Sequence, residues 1–201
     1  MKRDSIIRLA LVLLVLAAAL APSQPVAARE TTSKEATVPE PQSSNIGVNG
    51  FFSVDRAQQG SSFQAAVVMD IPGGLHVNAN KPLGKYAVPT VIRVDAPRGF
   101  RVTPVTYPRG SARTFSFGGA DASRLAVYEG RTIFRFNVNV PANQPFGVET
   151  VRVSVRFQSC SDEVCFPPAT RDLPLSIAVV GSDATSTRIN GQLFGGGRKR
   201  K

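Results

Sequence analysis

The chain has two cysteines, Cys160 and Cys165, and only four residues separate them. Two thiols this close in sequence could form a disulfide and exchange it with the thiols of another molecule. An alternating run over 151–157 leads into the pair, and Cys160 falls on the parity of that run that carries arginines. Successive side chains of a strand point to opposite faces, so a continued strand would present Cys160 to solvent. We therefore interpret the pair as a redox-active site at the end of a strand.

Three further side chains could influence the thiols. Asp162 and Glu163 lie between the cysteines, and nearby negative charge disfavours a thiolate; alternatively, both acids only solvate an exposed turn. His76, the only histidine, shares the outward parity with Asn78 and could approach the cysteine loop across adjacent strands, or be an ordinary surface residue. Zinc would need four ligands, and two cysteines with one histidine supply at most three. No metal site and no cofactor is predicted.

The elements that must position these residues are predicted to be β-strands. Apolar residues recur at every second position in several runs, Gly and Pro separate the runs, and no segment after the N-terminus shows a helical stripe. Several short strands with one apolar face each predict an all-β protein, an immunoglobulin-like antiparallel β-sandwich. The runs are 63–71, 75–80, 133–140, 151–157 and 173–179, with shorter candidates at 90–95, 99–105 and 125–128.

A structural role for the cysteines stays open. Antibody-type domains pin their two sheets with cysteines that are far apart in sequence. A bridge between Cys160 and Cys165 would close a small loop, which the chain-entropy model credits with roughly 2 kcal/mol. The alternative function is a non-catalytic immunoglobulin-like binding or scaffold domain whose disulfide is only a loop staple.

The two ends of the chain differ in composition from its middle. Residues 1–28 have the layout of a cleaved signal peptide, with basic residues, a short apolar run and small residues, although an uncleaved anchor is the alternative. This layout predicts a periplasmic or secreted protein, in a compartment where disulfides persist. Residues 29–47 have almost no large apolar side chain and are predicted to be a disordered leader. The folded domain is expected at 48–180 and a flexible basic tail at 181–201.

The net charge of +10 depends partly on that tail. Four basic residues at the C-terminus could make a weak contact with an anionic surface. Export argues against a nucleic-acid partner. The four residues are Arg198, Lys199, Arg200 and Lys201.

The segment around the cysteines resembles a known family. Phe157-Gln158-Ser159-Cys160, followed by Cys165-Phe166-Pro167-Pro168, is similar to the active-site segment of the N-terminal periplasmic domain of the thiol:disulfide interchange protein DsbD. Residues 74–82 and 127–130 resemble the same family, and the likeness spans about 60 to 180. The chain lacks that family's membrane and thioredoxin-like portions, so a stand-alone version is expected.

The resemblance implies an immunoglobulin-like domain that relays electrons through Cys160 and Cys165, of which Cys165 attacks. It implies thioredoxin-fold redox proteins as partners and a separate membrane electron donor. It also implies an aromatic cap over the cysteines, although each candidate phenylalanine could instead pack in the core. The residues expected to cap or surround the pair are Phe115, Phe117, His76, Asp162, Glu163 and Phe166.

Overall fold

The computed structural model describes residues 45–116 and 122–195, and most elements there are β-strands. The strands are β1 (Gly47–Phe52), β2 (Arg56–Gln58), β3 (Ser62–Asp70), β4 (His76–Asn78), β5 (Val91–Asp95), β6 (Arg101–Val102), β7 (Ser111–Phe115), β8 (Ser123–Tyr128), β9 (Arg131–Asn139), β10 (Gly147–Phe157), β11 (Ser159–Cys160) and β12 (Ala169–Val180). They are followed by a four-residue helix, α1 (Gly191–Phe194). No helix in the described ranges has the length and apolarity that crossing a membrane takes.

Several predicted features lie outside these ranges. They are the signal peptide at 1–28, residues 29–44 of the leader, the cap candidate Phe117, and the basic residues Arg198, Lys199, Arg200 and Lys201.

Two four-stranded sheets pack face to face around one core. The first has the order β1-β3-β9-β6 and the second β2-β12-β10-β5. Strand pairing in the described residues is antiparallel, except that β2 runs parallel to β12. Val67 and Phe134 from the first sheet meet Val153 and Phe157 from the second in one buried cluster. The predicted immunoglobulin-like antiparallel β-sandwich is confirmed.

Strand β10 shows why the sequence folds in this way. Val151, Val153 and Val155 are buried, whereas Arg152 and Arg156 between them are exposed. β-branched side chains fit a pleated surface that is covered on one face, and burying them removes apolar area from water. The alternation therefore determines which face of the strand lies against the core.

A third, smaller sheet lies at the end of the sandwich that carries the cysteines. Its order is β11-β4-β8-β7, and β7 and β11 were not predicted from the sequence. Val77 of β4 belongs to the main core, whereas Phe115, Leu125 and Val127 form a separate buried cluster. This sheet provides a second buried region beside the sandwich, and the cysteines lie next to it.

The chain after β12 differs from the predicted flexible tail where the structure describes it. Residues 181–195 run back along the first sheet, where Asn190 Nδ2 donates to the Phe52 carbonyl at 2.9 Å. Arg135 Nε donates to the Leu193 carbonyl at 2.7 Å, and Leu193 is buried. Since Arg135 lies opposite Ala66 in the register of β3 and β9, α1 covers the outer face of this sheet.

Candidate functional site

Cys160 and Cys165 are joined by a disulfide. The two sulfurs are 2.07 Å apart, and the Cα atoms are 3.9 Å apart. Cys160 ends β11, and Cys165 lies opposite it across a tight turn in an antiparallel bridge. The pair therefore sits at the base of a six-residue hairpin rather than between the two sheets.

Local hydrogen bonds hold this hairpin closed. The Ser161 N–H donates to the Val164 carbonyl at 2.8 Å, and the Phe166 N–H donates to the Ser159 carbonyl at 2.9 Å. The Ser161 hydroxyl accepts the backbone N–H groups of Glu163 and Val164 at 3.2 and 3.1 Å. Such serine turns satisfy backbone donors that would otherwise face only water. The turn holds the two cysteines within bonding distance.

The two cysteines differ sharply in exposure. Cys165 is exposed, whereas Cys160 is 0 % exposed, so the expectation that Cys160 faces solvent is wrong. β10 ends at Phe157, and the chain passes at Gln158 into the third sheet. The face that bears Cys160 is covered there by other residues of that sheet. An incoming molecule therefore meets Cys165 first.

His76 lies beside Cys160, and Phe115 lies against His76. His76 lies directly opposite Cys160 in the pairing of β4 with β11, and its ring stacks on Phe115 with centroids 4.0 Å apart and planes at 17°. His76 is 2 % exposed and Asn78 is 1 % exposed, so their predicted outward orientation is wrong. The register does agree with the predicted approach of His76 to the cysteine loop. Phe115 is buried in the small cluster with Leu125, not in the main core.

The electrostatic environment of His76 is set mainly by burial. Burial lowers the pKa of its imidazole below the ordinary value, and the nearby carboxylates of Asp162 and Glu129 oppose this. Glu129 is itself paired with Arg113, whose Nη2 lies 3.0 Å from Glu129 Oε2. His76 Nε2 is buried without a hydrogen-bond partner among the described residues. The neutral imidazole is therefore favoured near neutral pH.

Asp162 and Glu163 lie at the exposed tip of the hairpin. Neither forms an ion pair with another described residue. The described ranges contain no group of three or more His, Cys, Asp and Glu side chains close enough to hold a metal ion. The two acids thus sit in a solvated turn, and Asp162 also acts on the charge state of His76.

Gln158 is a residue of the site that sequence reasoning did not single out. Its Oε1 accepts from Asn78 Nδ2 at 3.1 Å and from the Val88 N–H at 3.2 Å. Its Nε2 donates to the Phe166 carbonyl at 3.1 Å. The sequence feature that could have indicated its role is its position in the motif 157–160, where the alternating run stops. One amide therefore ties β4, the segment after it and the outgoing arm of the hairpin together.

A groove of about 560 Å³ runs beside the disulfide. Cys165 and Val164 line one side and the segment 84–87 lines the other. Gly84 lies so close to Leu125 that a Cβ there would require the end of the Leu125 side chain to move. The groove gives Cys165 an open flank on which another molecule could rest.

Exposed apolar side chains occur around this groove, and sequence reasoning missed them as well. Tyr86 is 87 %, Leu83 60 % and Val164 52 % exposed. Lys85 Nζ lies 5.5 Å from the centre of the Tyr86 ring, within the range of a cation–π contact. The sequence signal was an aromatic residue in a loop rich in Lys, Gly and Pro.

Comparisons with known proteins place the chain in a family. The family model described as "Thiol:disulfide interchange protein DsbD, N-terminal" matches residues 48–177. Among solved structures, the DsbD N-terminal domain of Neisseria meningitidis in the reduced form is 16% identical, with a TM-score of 0.43, and the match covers 75% of this chain and 94% of that chain. The N-terminal periplasmic domain of ScsB from Proteus mirabilis is 14% identical with a TM-score of 0.41, covering 64% of this chain and 46% of that chain. No curated protein matches the chain. Because the family model spans more than half of the sequence, the chain belongs to the family of DsbD N-terminal domains.

Proposed function

We propose that this domain carries electrons between thioredoxin-fold proteins by thiol–disulfide exchange at Cys160 and Cys165. Its family membership supports this function. The observation that carries the proposal is the unequal exposure of a bonded pair, with Cys165 accessible and Cys160 buried. An accessible sulfur can be attacked by a partner, while the buried one is kept from reacting with other oxidants and thiols.

The exchange takes place in two steps, in which electrons and protons balance. A partner thiolate attacks Cys165 Sγ, the bond to Cys160 breaks, and Cys160 leaves with the electron pair. The second partner thiolate then attacks the mixed disulfide, so that the partner leaves oxidised and the domain holds two thiols. The protons released by the partner's two thiols equal those taken up by the two cysteines. With an oxidised second partner the steps run in reverse, with Cys165 attacking and Cys160 resolving.

The groove beside Cys165 supports contact with a protein partner. Apolar surface is exposed at and beside the groove. Tyr86 and Val164 line the groove, and Leu83 immediately precedes the lining segment 84–87. Aromatic and apolar side chains are enriched at protein interfaces, while isolated ones are common on any surface. We expect the polypeptide next to a partner's attacking cysteine to lie against these three residues.

Location and chain organisation are part of the same proposal. A periplasmic site of action is supported by the signal-peptide layout of residues 1–28 and by membership of a family of periplasmic domains. We propose that residues 1–28 direct export and are removed and that 29–44 belong to a leader. The exchange domain, expected at 48–180, also includes Gly47 in β1 and the packed segment 181–195. Electrons would reach the domain from a membrane donor, and the basic C-terminus would at most touch anionic surfaces.

Single cysteine variants test the proposal. Cys160→Ala keeps the accessible thiol, and Cys165→Ala keeps the buried one. Each is mixed with a thioredoxin whose resolving cysteine is removed and whose attacking cysteine carries 2-nitro-5-thiobenzoate. We expect Cys160→Ala to form the protein–protein disulfide at least about tenfold faster, because thiol reactivity follows exposure. Non-reducing electrophoresis and released chromophore measure the rate.

The control is the wild-type disulfide treated with reduced thioredoxin. We expect reduction in the folded state, at urea concentrations far below unfolding. If the disulfide stays oxidised until the domain unfolds, the proposal is wrong, and the domain is a non-catalytic scaffold whose disulfide only staples a loop. Faster capture by Cys165→Ala would contradict the assignment of Cys165 as the attacking residue.

A further inference from the structure

We propose that His76 accepts and returns the proton of the Cys160 thiol when the disulfide closes and opens. This inference rests on the exchange function proposed above. It assigns a chemical task to a buried side chain for which the family resemblance alone implied only a place near the cysteines.

The strand register brings the two side chains together. His76 and Cys160 are directly opposite each other in the antiparallel pairing of β4 with β11. Side chains of such a pair project from the same face of the sheet, with Cβ atoms about 4.5–5.5 Å apart. Both residues are buried, at 2 % and 0 % exposure. The imidazole is therefore the titratable side chain that the sheet places beside the buried sulfur.

The unpartnered nitrogen of His76 points to the same role. Buried polar atoms nearly always have a hydrogen-bond partner, so an exception calls for a cause. In the disulfide state, His76 Nε2 has none among the described residues, and Phe115 covers one face of the ring. Reduction creates a thiol at Cys160, which can donate to a bare nitrogen, or a thiolate, which can accept from a protonated one. The missing partner thus becomes available when the bond opens.

The charges around His76 suit a base that is neutral at rest. Burial favours the neutral ring, which can accept a proton. Asp162 from the hairpin and Glu129 after β8 favour the imidazolium, and Arg113 of β7 partly offsets Glu129 through their ion pair. Once the ring has taken the thiol proton, these carboxylates stabilise the charge that has formed.

The proton balance follows the two directions of exchange. In closure, Cys160 loses its proton to His76, its thiolate attacks Cys165 Sγ, and the partner leaves as a thiolate. The imidazolium then releases the proton, which restores the partner's thiol through solvent. In opening, the partner's thiol releases its proton as it attacks Cys165 Sγ, and the neutral ring takes up a proton through solvent. Cys160 leaves as a thiolate and is protonated by the imidazolium, which returns the ring to its neutral form. No other oxidant or reductant is needed, because the partner supplies or takes both electrons.

Stopped-flow reaction of the fully reduced domain with 5,5′-dithiobis(2-nitrobenzoate) tests this role. Attack by Cys165 releases one chromophore at a rate that depends on reagent concentration. Closure by Cys160 releases the second at a rate that does not. We expect His76→Asn to leave the first phase unchanged and to slow the second about a hundredfold near pH 7, the low end of what a positioned acid or base contributes. The difference should disappear above about pH 8.5, where a free thiol ionises unaided.

Two further measurements keep the test decisive. In the wild type, the second phase should have its pH midpoint below the ordinary thiol value of about 8.5; a midpoint at that value would overturn the inference without any variant. Phe115→Leu, which keeps the imidazole, should alter access to the site but leave that midpoint in place. The inference would also be overturned if the second phase of His76→Asn had the same rate and the same pH midpoint as that of the wild type. A wild type without a second phase would instead contradict the exchange function on which the inference rests.

Discussion

Among the individual residues, Gln158 connects more of the site than any sequence motif suggested. Its amide accepts from β4 and from the Val88 N–H, and donates to the Phe166 carbonyl. The side chain stands where β10 ends and β11 begins, so it holds the change of direction that buries Cys160. A glutamine offers both donors and an acceptor at this point, and no apolar residue could replace those contacts.

Replacing Gln158 by alanine should therefore destabilise the domain. We expect the free energy of unfolding to fall by about 1–3 kcal/mol, because partly buried partners on three segments lose their hydrogen bonds. Urea denaturation of the oxidised protein measures the change. Gln64→Ala is the matched control, since no hydrogen bond is seen for the Gln64 side chain among the described residues. Equal losses for the two variants would show that the Gln158 contacts contribute nothing specific.

Among the strands, alternation predicted the four longest and the shorter β4, β5, β6 and β8, but it missed β1, β2, β7 and β11. β3, β9, β10 and β12 each have one face on the main core, and that burial is visible as a period of two. Four of the five residues of β7 are exposed, and β11 has only two residues. Neither strand buries enough of one face to leave a pattern in the sequence.

The error over the exposure of Cys160 has the same origin. The alternating run over 151–157 predicts one strand that continues to Cys160, with a wet outer face. In the structure, Cys160 is buried, His76 lies opposite it in the strand pairing, and Phe115 stacks on His76. These residues are about 80 and 45 positions earlier in the chain, so only the folded pairing of β4 and β7 with β8 reveals them. The chemistry of the site could be predicted from local sequence, but its accessibility could not.

The segment after β12 provides a prediction about a single element. α1 is too short to be stable by itself, so its position depends on Leu193, which is 2 % exposed. We expect Leu193→Ala to lower the free energy of unfolding by about 2–3 kcal/mol, through lost burial and the cavity left behind. Gln192→Ala, at an exposed position of the same turn, should change it by less than about 0.5 kcal/mol. Thermal and urea unfolding of both variants measure the difference. Similar stabilities would mean that α1 does not pack on the sheet in solution.

For the molecule as a whole, folding brings two titratable groups into environments that the sequence does not reveal. His76 enters the buried region at the third sheet, which lowers its pKa. Asp55, between β1 and β2, accepts the Thr187 N–H at 2.7 Å, and this bond is the main cause of its own lowered pKa. The pKa of His76 depends on burial at the end of the domain that carries the cysteines. The pKa of Asp55 depends on the packing of residues 181–195. Both contacts join segments that are distant in the chain.

These two groups predict that acid destabilises the domain in two separate pH windows. An unfolded His76 takes up a proton below its ordinary pKa of 6.5, whereas the folded state resists protonation. Its contribution is therefore complete above that pH and is lost as the pH falls toward the lowered folded value. Asp55 behaves in the same direction at lower pH: its contribution is present above its ordinary pKa of 3.8 and is lost as the pH falls below it.

Urea midpoints measured at intervals from about pH 8 to about pH 3 should separate the windows. His76→Asn should flatten the decline that begins near 6.5 and leave the lower one. Asp55→Asn should reduce the decline that begins near 3.8 and leave the upper one, with other carboxylates contributing equally to both proteins. A decline from pH 6.5 that is steeper in His76→Asn than in the wild type would require a raised pKa for His76, and so a ring that gains a negative partner on folding instead of losing water. The sign of this difference therefore decides whether the imidazole beside Cys160 is held neutral, as proton acceptance from the thiol requires.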